Sequence, residues 1–195
     1  MRRLAAPRIR LLVLDGDHTL WQPLDIICAS ERYADDPEGG TAFRFQALAD
    51  DPDTIIRDDG VRFALMPGAR ALLERLHGAG VRLAIASYNH APPIVAMLEA
   101  FGLLPLFGHV VASWSSDKGA MLRTILAAEP GSVPEETLFV DDDPYGIYRP
   151  MAAAIGVRFA QMGNPAEVVS FGDIARLADA GEEGNGHLDQ PSARR

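Results

Sequence analysis

The sequence predicts an α/β fold, a three-layer sandwich with a central parallel sheet and helices on both faces. Three observations lead there. Short apolar runs free of glycine and proline recur along the chain, and each reads as a strand buried on both sides. Segments with apolar residues three and four apart lie between them and read as helices. Polar residues with chemical capacity fall where the strands end, which is where ligands bind in such sheets.

The elements follow in order. "RIRLLVLD" (8–15) is the first strand, apolar until it meets acid. "PGARALLERLHGAG" (67–80) is a helix, with Pro67 suited to its first turn, Leu72, Leu73 and Leu76 on one face, and Gly78 or Gly80 as its stop. "VRLAIAS" (81–87) is a strand, "PPIVAMLEAFG" (92–102) a helix and "GHVVAS" (108–113) a short strand. "DKGAMLRTILAAE" (117–129) is a helix with Met121, Leu122, Ile125 and Leu126 inward. "ETLFVDDD" (136–143) is a strand that again runs into acid. "YRPMAAAIG" holds a short helix, "VRFAQM" a fifth strand and "PAEVVSFGDIARLADA" the last helix. Crossovers between parallel strands are expected to be right-handed.

Two regions break the rhythm. Residues 22 to about 66 are rich in Asp, Pro and Gly and read as a small insertion of long loops with a short helix or hairpin. Residues 181–195, "GEEGNGHLDQPSARR", are polar and aperiodic and are expected to be a disordered tail. Residues 1–180 then form one domain, as a length of 195 suggests.

A net charge of −9 argues against nucleic acid as partner, since phosphate contact needs a basic face. The single cysteine, Cys28, excludes an internal disulfide and any multi-cysteine zinc site. The apolar run after the basic start "MRR" is too short for a signal peptide, and no stretch approaches membrane-spanning length. A soluble cytoplasmic protein without a membrane partner is the expectation. The oligomeric state is not legible.

The chemistry sits at the strand ends. Asp15 and Asp17 end the first strand, Ser87 the second, and Asp141, Asp142 and Asp143 the fourth, while Lys118 opens a helix. Carboxylates at strand ends are costly to bury unless paired or metal-bound. Their convergence makes an oxygen-rich site suited to Mg²⁺, a hard cation that commonly pairs with phosphate. Lys118 balances charge. Ser87 and the backbone N–H groups of Tyr88 and Asn89 can hold phosphate oxygens.

Taken singly, each residue has a plainer reading. One Asp at a strand end caps a turn, Ser87 is an ordinary N-cap, and Lys118 is a solvated surface lysine. Asp143 reads as the N-cap of the next turn, with Pro144 at its first position. Trp21 is a packing anchor or a substrate platform, and His90 starts a helix. One arginine of the insertion, Arg44, Arg57 or Arg62, can reach a substrate anion, although solvated arginine is the commoner case. The set of acids with Lys118 outweighs the single readings.

This ordered set resembles the haloacid dehalogenase superfamily of phosphohydrolases. "DGDHT" (15–19) is similar to its first motif, Asp-x-Asp-x-Thr, Ser87 to the second, Lys118 to the third and "FVDDD" (139–143) to the acidic fourth. "DGDHTLW" and "FVDDDP" are most similar to the magnesium-dependent phosphatase group, which carries Trp soon after the threonine and has little or no cap domain. The resemblance implies a Rossmann-like domain with a small insertion in place of a large cap. It implies Asp15 as nucleophile, Asp17 as acid and then base, and Lys118 as charge neutraliser. It implies Mg²⁺ held by Asp15, Asp141 and Asp142 and by the Asp17 backbone carbonyl. The choice among Asp141, Asp142 and Asp143 stays open, with Asp141 favoured and Asp142 next. Gly16 departs from the pattern, because bulkier residues are common between the two aspartates.

The implied activity is hydrolysis of a small phosphorylated metabolite or aryl phosphate. A receiver-like signalling domain is the first rival, but its phosphorylated Asp would end the third strand, and "VVASWSS" offers none before Asp117. Phosphoryl or glyceryl transfer with a carrier protein and a non-catalytic binding module are the others.

Overall fold

The computed structural model describes residues 8–23 and 44–179. In chain order the first elements are β1 (Leu11–Leu14), β2 (Trp21–Pro23), β3 (Phe45–Leu48), β4 (Asp51–Arg57), β5 (Arg62–Leu65) and α1 (Ala69–Gly78). There follow β6 (Arg82–Tyr88), α2 (Ala91–Ala100), β7 (Phe107–Ser113) and α3 (Lys118–Ala128). β8 (Thr137–Asp141), α4 (Tyr148–Ala154), β9 (Arg158–Gln161) and α5 (Phe171–Asp179) come last among the described residues.

Five strands pair in parallel in the order β7-β6-β1-β8-β9. Successive side chains on a strand point to opposite faces. Leu12, Leu14, Leu83, Ile85, Leu138 and Val140 therefore share one face with residues of α1, α2 and α5. Leu11, Val13, Ala84, Ala86 and Phe139 share the other with residues of α3 and α4. Both faces are covered, which is why these strands read as continuous apolar runs. This is the predicted three-layer α/β sandwich.

Local chemistry sets the element boundaries. Asp117 caps α3 by accepting the Ala120 N–H at 2.8 Å. Gly102, at φ 69°, follows the end of α2 in the left-handed conformation that glycine tolerates. Pro67 lies outside α1 instead of in its first turn, because Gly68, at φ 80°, is the residue that flanks the helix start. The last helix is shorter than its apolar pattern suggests, since α5 begins at Phe171. Asp173 accepts the N–H groups of Val169 and Ser170 just before it.

The main difference from expectation lies in the region read as loops with a short helix or hairpin. Its described part forms an antiparallel sheet in the order β2-β5-β4-β3. Trp21, Ile55, Phe63 and Leu65 turn inward and join the larger core. The signal was weak because the strands are short, and β4 opens on exposed Asp51 and Pro52. Arg70 ties this sheet to the main body through Asp53 at 2.6 Å and the Phe101 carbonyl at 2.9 Å. Residues 24–43, with Cys28, and the tail 181–195 lie outside the described residues. Among the described residues no helix is long and apolar enough to cross a membrane.

Candidate active site

Three neighbouring strands aim the candidate residues at one edge of the sheet. β1 is flanked by β6 and β8. Asp15 follows β1, Ser87 and Tyr88 end β6, Asp141 ends β8, and Lys118 is the first residue of α3. They line one open cleft of about 130 Å³, together with Asp17, His18, Asp142, Pro144, Tyr145 and Tyr148.

Lys118 is its electrostatic centre. The side chain is buried, and Nζ donates to Asp15 Oδ1 and to the Ala86 carbonyl, both at 2.6 Å. It also faces Asp141 Oδ2 at 3.0 Å. Burial alone would lower the lysine's affinity for its proton, but the charges of Asp15 and Asp141 outweigh it and hold the ammonium above its ordinary range. Phe139 and Tyr148 flank the ammonium, their ring centres 5.8 and 5.3 Å away.

Ligand oxygens of Asp15, Asp141 and Asp142 all lie within 4.8 Å of one another. Burial, and then the charge of Asp15, push Asp141 up to about 7 against the pull of Lys118. The same two causes, in the same order, raise Asp142. Asp141 Oδ1 accepts the Asp143 N–H at 2.7 Å, and the buried Oδ2 faces the Lys118 ammonium at 3.0 Å. Three crowded carboxylates have excess negative charge even after Lys118, and an oxygen-seeking divalent cation fits that donor set. Asp17's carboxyl stands outside this trio.

Asp17 is held differently. Its Oδ1 accepts the Trp21 indole N–H and its Oδ2 the Asn89 side-chain N–H, each at 2.9 Å. Burial first, and Asp15's charge second, raise its pKa above the usual carboxylate range, and the two N–H donors oppose the shift. A carboxyl that keeps its proton more readily, beside a cluster that can hold an anion, suits acid catalysis. The turn after β1 brings these groups together, with the N–H groups of Leu20 and Trp21 both on the Gly16 carbonyl at 2.8 and 3.2 Å. His18 takes φ 60° in that turn and lies exposed at the cleft.

The sequence-predicted residues thus meet, with two differences. Asn89, expected to offer its backbone N–H to an anion, is not in the cleft wall, and its side chain turns to Asp17. Asp143 caps at longer range than expected. Its carboxylate accepts the N–H groups of Ile147, Tyr148 and Arg149 at 2.9, 3.0 and 3.3 Å, beyond the turn that holds Pro144 and that the Gly146 N–H closes on the Asp143 carbonyl at 3.1 Å.

Sequence reasoning missed Tyr145 and Tyr148 in the cleft wall. It also missed Trp114, half exposed, which packs on Tyr88 at 5.0 Å and stacks on His90 at 5.1 Å between ring centres. Their only signal was position just beyond a strand end, which many inert residues share. The arginines of the insertion are not in the cleft wall, and Arg57 is buried against Asp59 at 2.8 Å.

Comparison with known proteins bears on fold and family. A search of curated proteins finds no match. A hydrolase of the haloacid dehalogenase superfamily from Ehrlichia chaffeensis is similar in structure, with a TM-score of 0.62, 13% identity, and coverage of 90% of this chain and 98% of that one. CbbY from Rhodobacter sphaeroides, solved with phosphate, gives a TM-score of 0.53 at 19% identity over 79% of this chain and 87% of that one. The N-terminal part of BF1531 from Bacteroides fragilis, containing a phosphatase domain complexed with Mg, gives 0.54 at 20% identity over 87% of this chain and 40% of that one. The model of the haloacid dehalogenase-like hydrolases matches residues 5–156, most of the chain. With its parallel sheet and its acids gathered around one buried lysine, this chain belongs to the haloacid dehalogenase-like hydrolase family.

Proposed function

We propose that this protein is a Mg²⁺-dependent phosphomonoester hydrolase that works through an aspartyl phosphate. The observation that carries the reading is the buried Lys118 ammonium shared by Asp15 and Asp141, next to the separately held Asp17. The magnesium complexed with the Bacteroides fragilis phosphatase domain and the phosphate in complex with CbbY are in keeping with it.

In this reading Asp15 attacks phosphorus in line and the bond to the leaving oxygen breaks. Asp17 gives its proton to that oxygen as the electron pair arrives there. Lys118 and the backbone N–H groups after Ser87 stabilise the charge on the transferring phosphoryl group. Asp15, Asp141, Asp142 and the Asp17 carbonyl would hold Mg²⁺, which would supply further positive charge there. Asp17, now a carboxylate, takes a proton from water. The resulting hydroxide attacks phosphorus, inorganic phosphate leaves, and Asp15 is restored.

The substrate is a small phosphorylated metabolite or aryl phosphate, and the rim favours the aryl ester. The cleft, about 130 Å³, is smaller than the roughly 300–1,000 Å³ of a full ligand pocket. It takes the phosphoryl group and leaves the alcohol part at the rim, against Tyr88 and exposed Tyr145, with Trp114 behind. We read residues 22–66 as a small cap-like insertion, and its described part contributes no residue to the cleft wall.

The test is phosphate release from a panel of phosphomonoesters, with Mg²⁺ and with chelator, for wild type and Asp15→Asn. Mg²⁺-dependent turnover lost in the variant is expected, with aryl esters ahead of sugar phosphates. No turnover from folded, Mg²⁺-supplied protein overturns the reading. Stable labelling of Asp15 by a phosphate donor, without hydrolysis, points to transfer instead.

A further inference from the structure

We propose that Gly16, Trp21 and Asn89 form a positioning device that fixes the direction of the Asp17 carboxyl for proton transfer. The proposal rests on the phosphatase reading of the site and accounts for the departure at Gly16.

Both oxygens of Asp17 are held. An indole N–H can only donate, so Trp21 defines one bond without ambiguity. Asn89 is fixed by its other end. Its Oδ1 accepts the His90 backbone N–H at 2.8 Å, so Nδ2 must face Asp17. Trp21 and Asn89 are both fully buried, and Trp21 also stacks on Phe101 at 6.3 Å between ring centres. One donor on each oxygen stops the carboxyl from rotating. A protonated carboxyl keeps acceptor capacity, so the hold is compatible with both the acid and the base half of the reaction.

Gly16 makes room for this arrangement. A Cβ at that position would lie 2.6 Å from Trp21 Cζ2 and 3.1 Å from its Cη2. Those atoms belong to a ring packed on all sides, so a side chain at position 16 would displace the indole and break its bond to Asp17. Gly16 and Trp21 are therefore one linked choice. Catalytic geometry is sensitive at this level, since a misplacement of about 1 Å can cost about 10²-fold in rate.

The test uses substituted phenyl phosphates, from 4-nitrophenyl to unsubstituted phenyl, so that the rim always meets an aromatic ring. For wild type, Trp21→Phe and Asn89→Ala, kcat/KM is measured along the series. A poor leaving group needs the Asp17 proton most. Each variant is expected to lose at least about tenfold more on phenyl than on 4-nitrophenyl phosphate, within the range a general acid contributes. A uniform loss along the series, or none, overturns the proposal.

A second measurement needs no turnover. The Trp21 indole resonance in ¹⁵N-labelled protein, assigned with Trp114→Phe, is expected to be protected from exchange and to shift in Asp17→Ala. Gly16→Val should shift it with Asp17 intact. An indole resonance indifferent to Asp17→Ala overturns the proposal even if Trp21→Phe folds poorly. Wild-type protein inert toward the whole series overturns the phosphatase reading and the proton-transfer purpose, while a shifted indole still upholds the hold on Asp17.

Discussion

At the scale of single residues, Lys118 decides whether the site can exist. It is the buried cation that Asp15 and Asp141 share. Removing one partner of a buried charge set leaves uncompensated charge, which costs roughly 3–5 kcal/mol. Lys118→Ala is expected to lose stability of that order in urea denaturation with chelator present. Mg²⁺ should restore more stability to the variant than it adds to wild type, because the three clustered acids have then lost their internal cation. Equal Mg²⁺ effects on both proteins would show that the ion binds elsewhere. Asp15, Asp17, Lys118 and Asp141 were legible in the sequence because acids at two strand ends and a lysine opening a helix need a common explanation. The jobs of Trp21 and Asn89 were not, since neither residue type is unusual where it stands.

At the scale of elements, the segment between β8 and α4 carries the acids and must be held still. Asp143, at φ 41°, sits in the left-handed region that Asp tolerates better than most residues. Its carboxylate takes three backbone N–H groups around the start of α4. Its own N–H in turn binds Asp141, so the cap steadies a candidate metal ligand. Loss of a capping carboxylate costs about 0.5–2 kcal/mol. Asp143→Ala is expected to fall in that range by urea denaturation and to weaken Mg²⁺ binding in titration calorimetry, and Asp143→Asn to recover most of both. An Ala variant with unchanged Mg²⁺ affinity would separate the cap from the site. The small antiparallel sheet is the element the sequence concealed. Phe63 and Ile55 are inward anchors separated by polar stretches, so no long periodic run announced them.

At the scale of the whole molecule, stability should depend on pH through the same acids. Asp141 is pushed up to about 7 from 3.8, chiefly by burial. The folded protein therefore holds a proton that the unfolded chain releases at lower pH. The contribution of Asp141 is complete below 3.8 and is lost as pH rises through about 7. Mg²⁺ requires the carboxylate form, so its binding displaces that proton. Thermal melts in chelator should show this site losing stability from about pH 4 to pH 7. The rise in Tm caused by Mg²⁺ should grow over the same interval. A Mg²⁺ effect independent of pH would mean that Asp141 is already ionised in the folded protein.

The sequence alone determined the layered architecture, because strands buried on both faces must be apolar throughout and their helices must carry one apolar stripe. It also determined which residue types could do chemistry, through the presence of acids and one lysine at element ends. Tertiary structure decided which of them meet. Only the strand order β7-β6-β1-β8-β9 places Asp15 and Asp141, far apart in the chain, on adjacent strands around Lys118. Only packing showed that Gly16 is the space the Trp21 ring fills and that Asn89 faces Asp17 instead of the cleft. Periodicity is a local property that a strand or helix imposes on its own residues. Contacts between the ends of different elements are set by register and packing, which leave no local pattern in the chain.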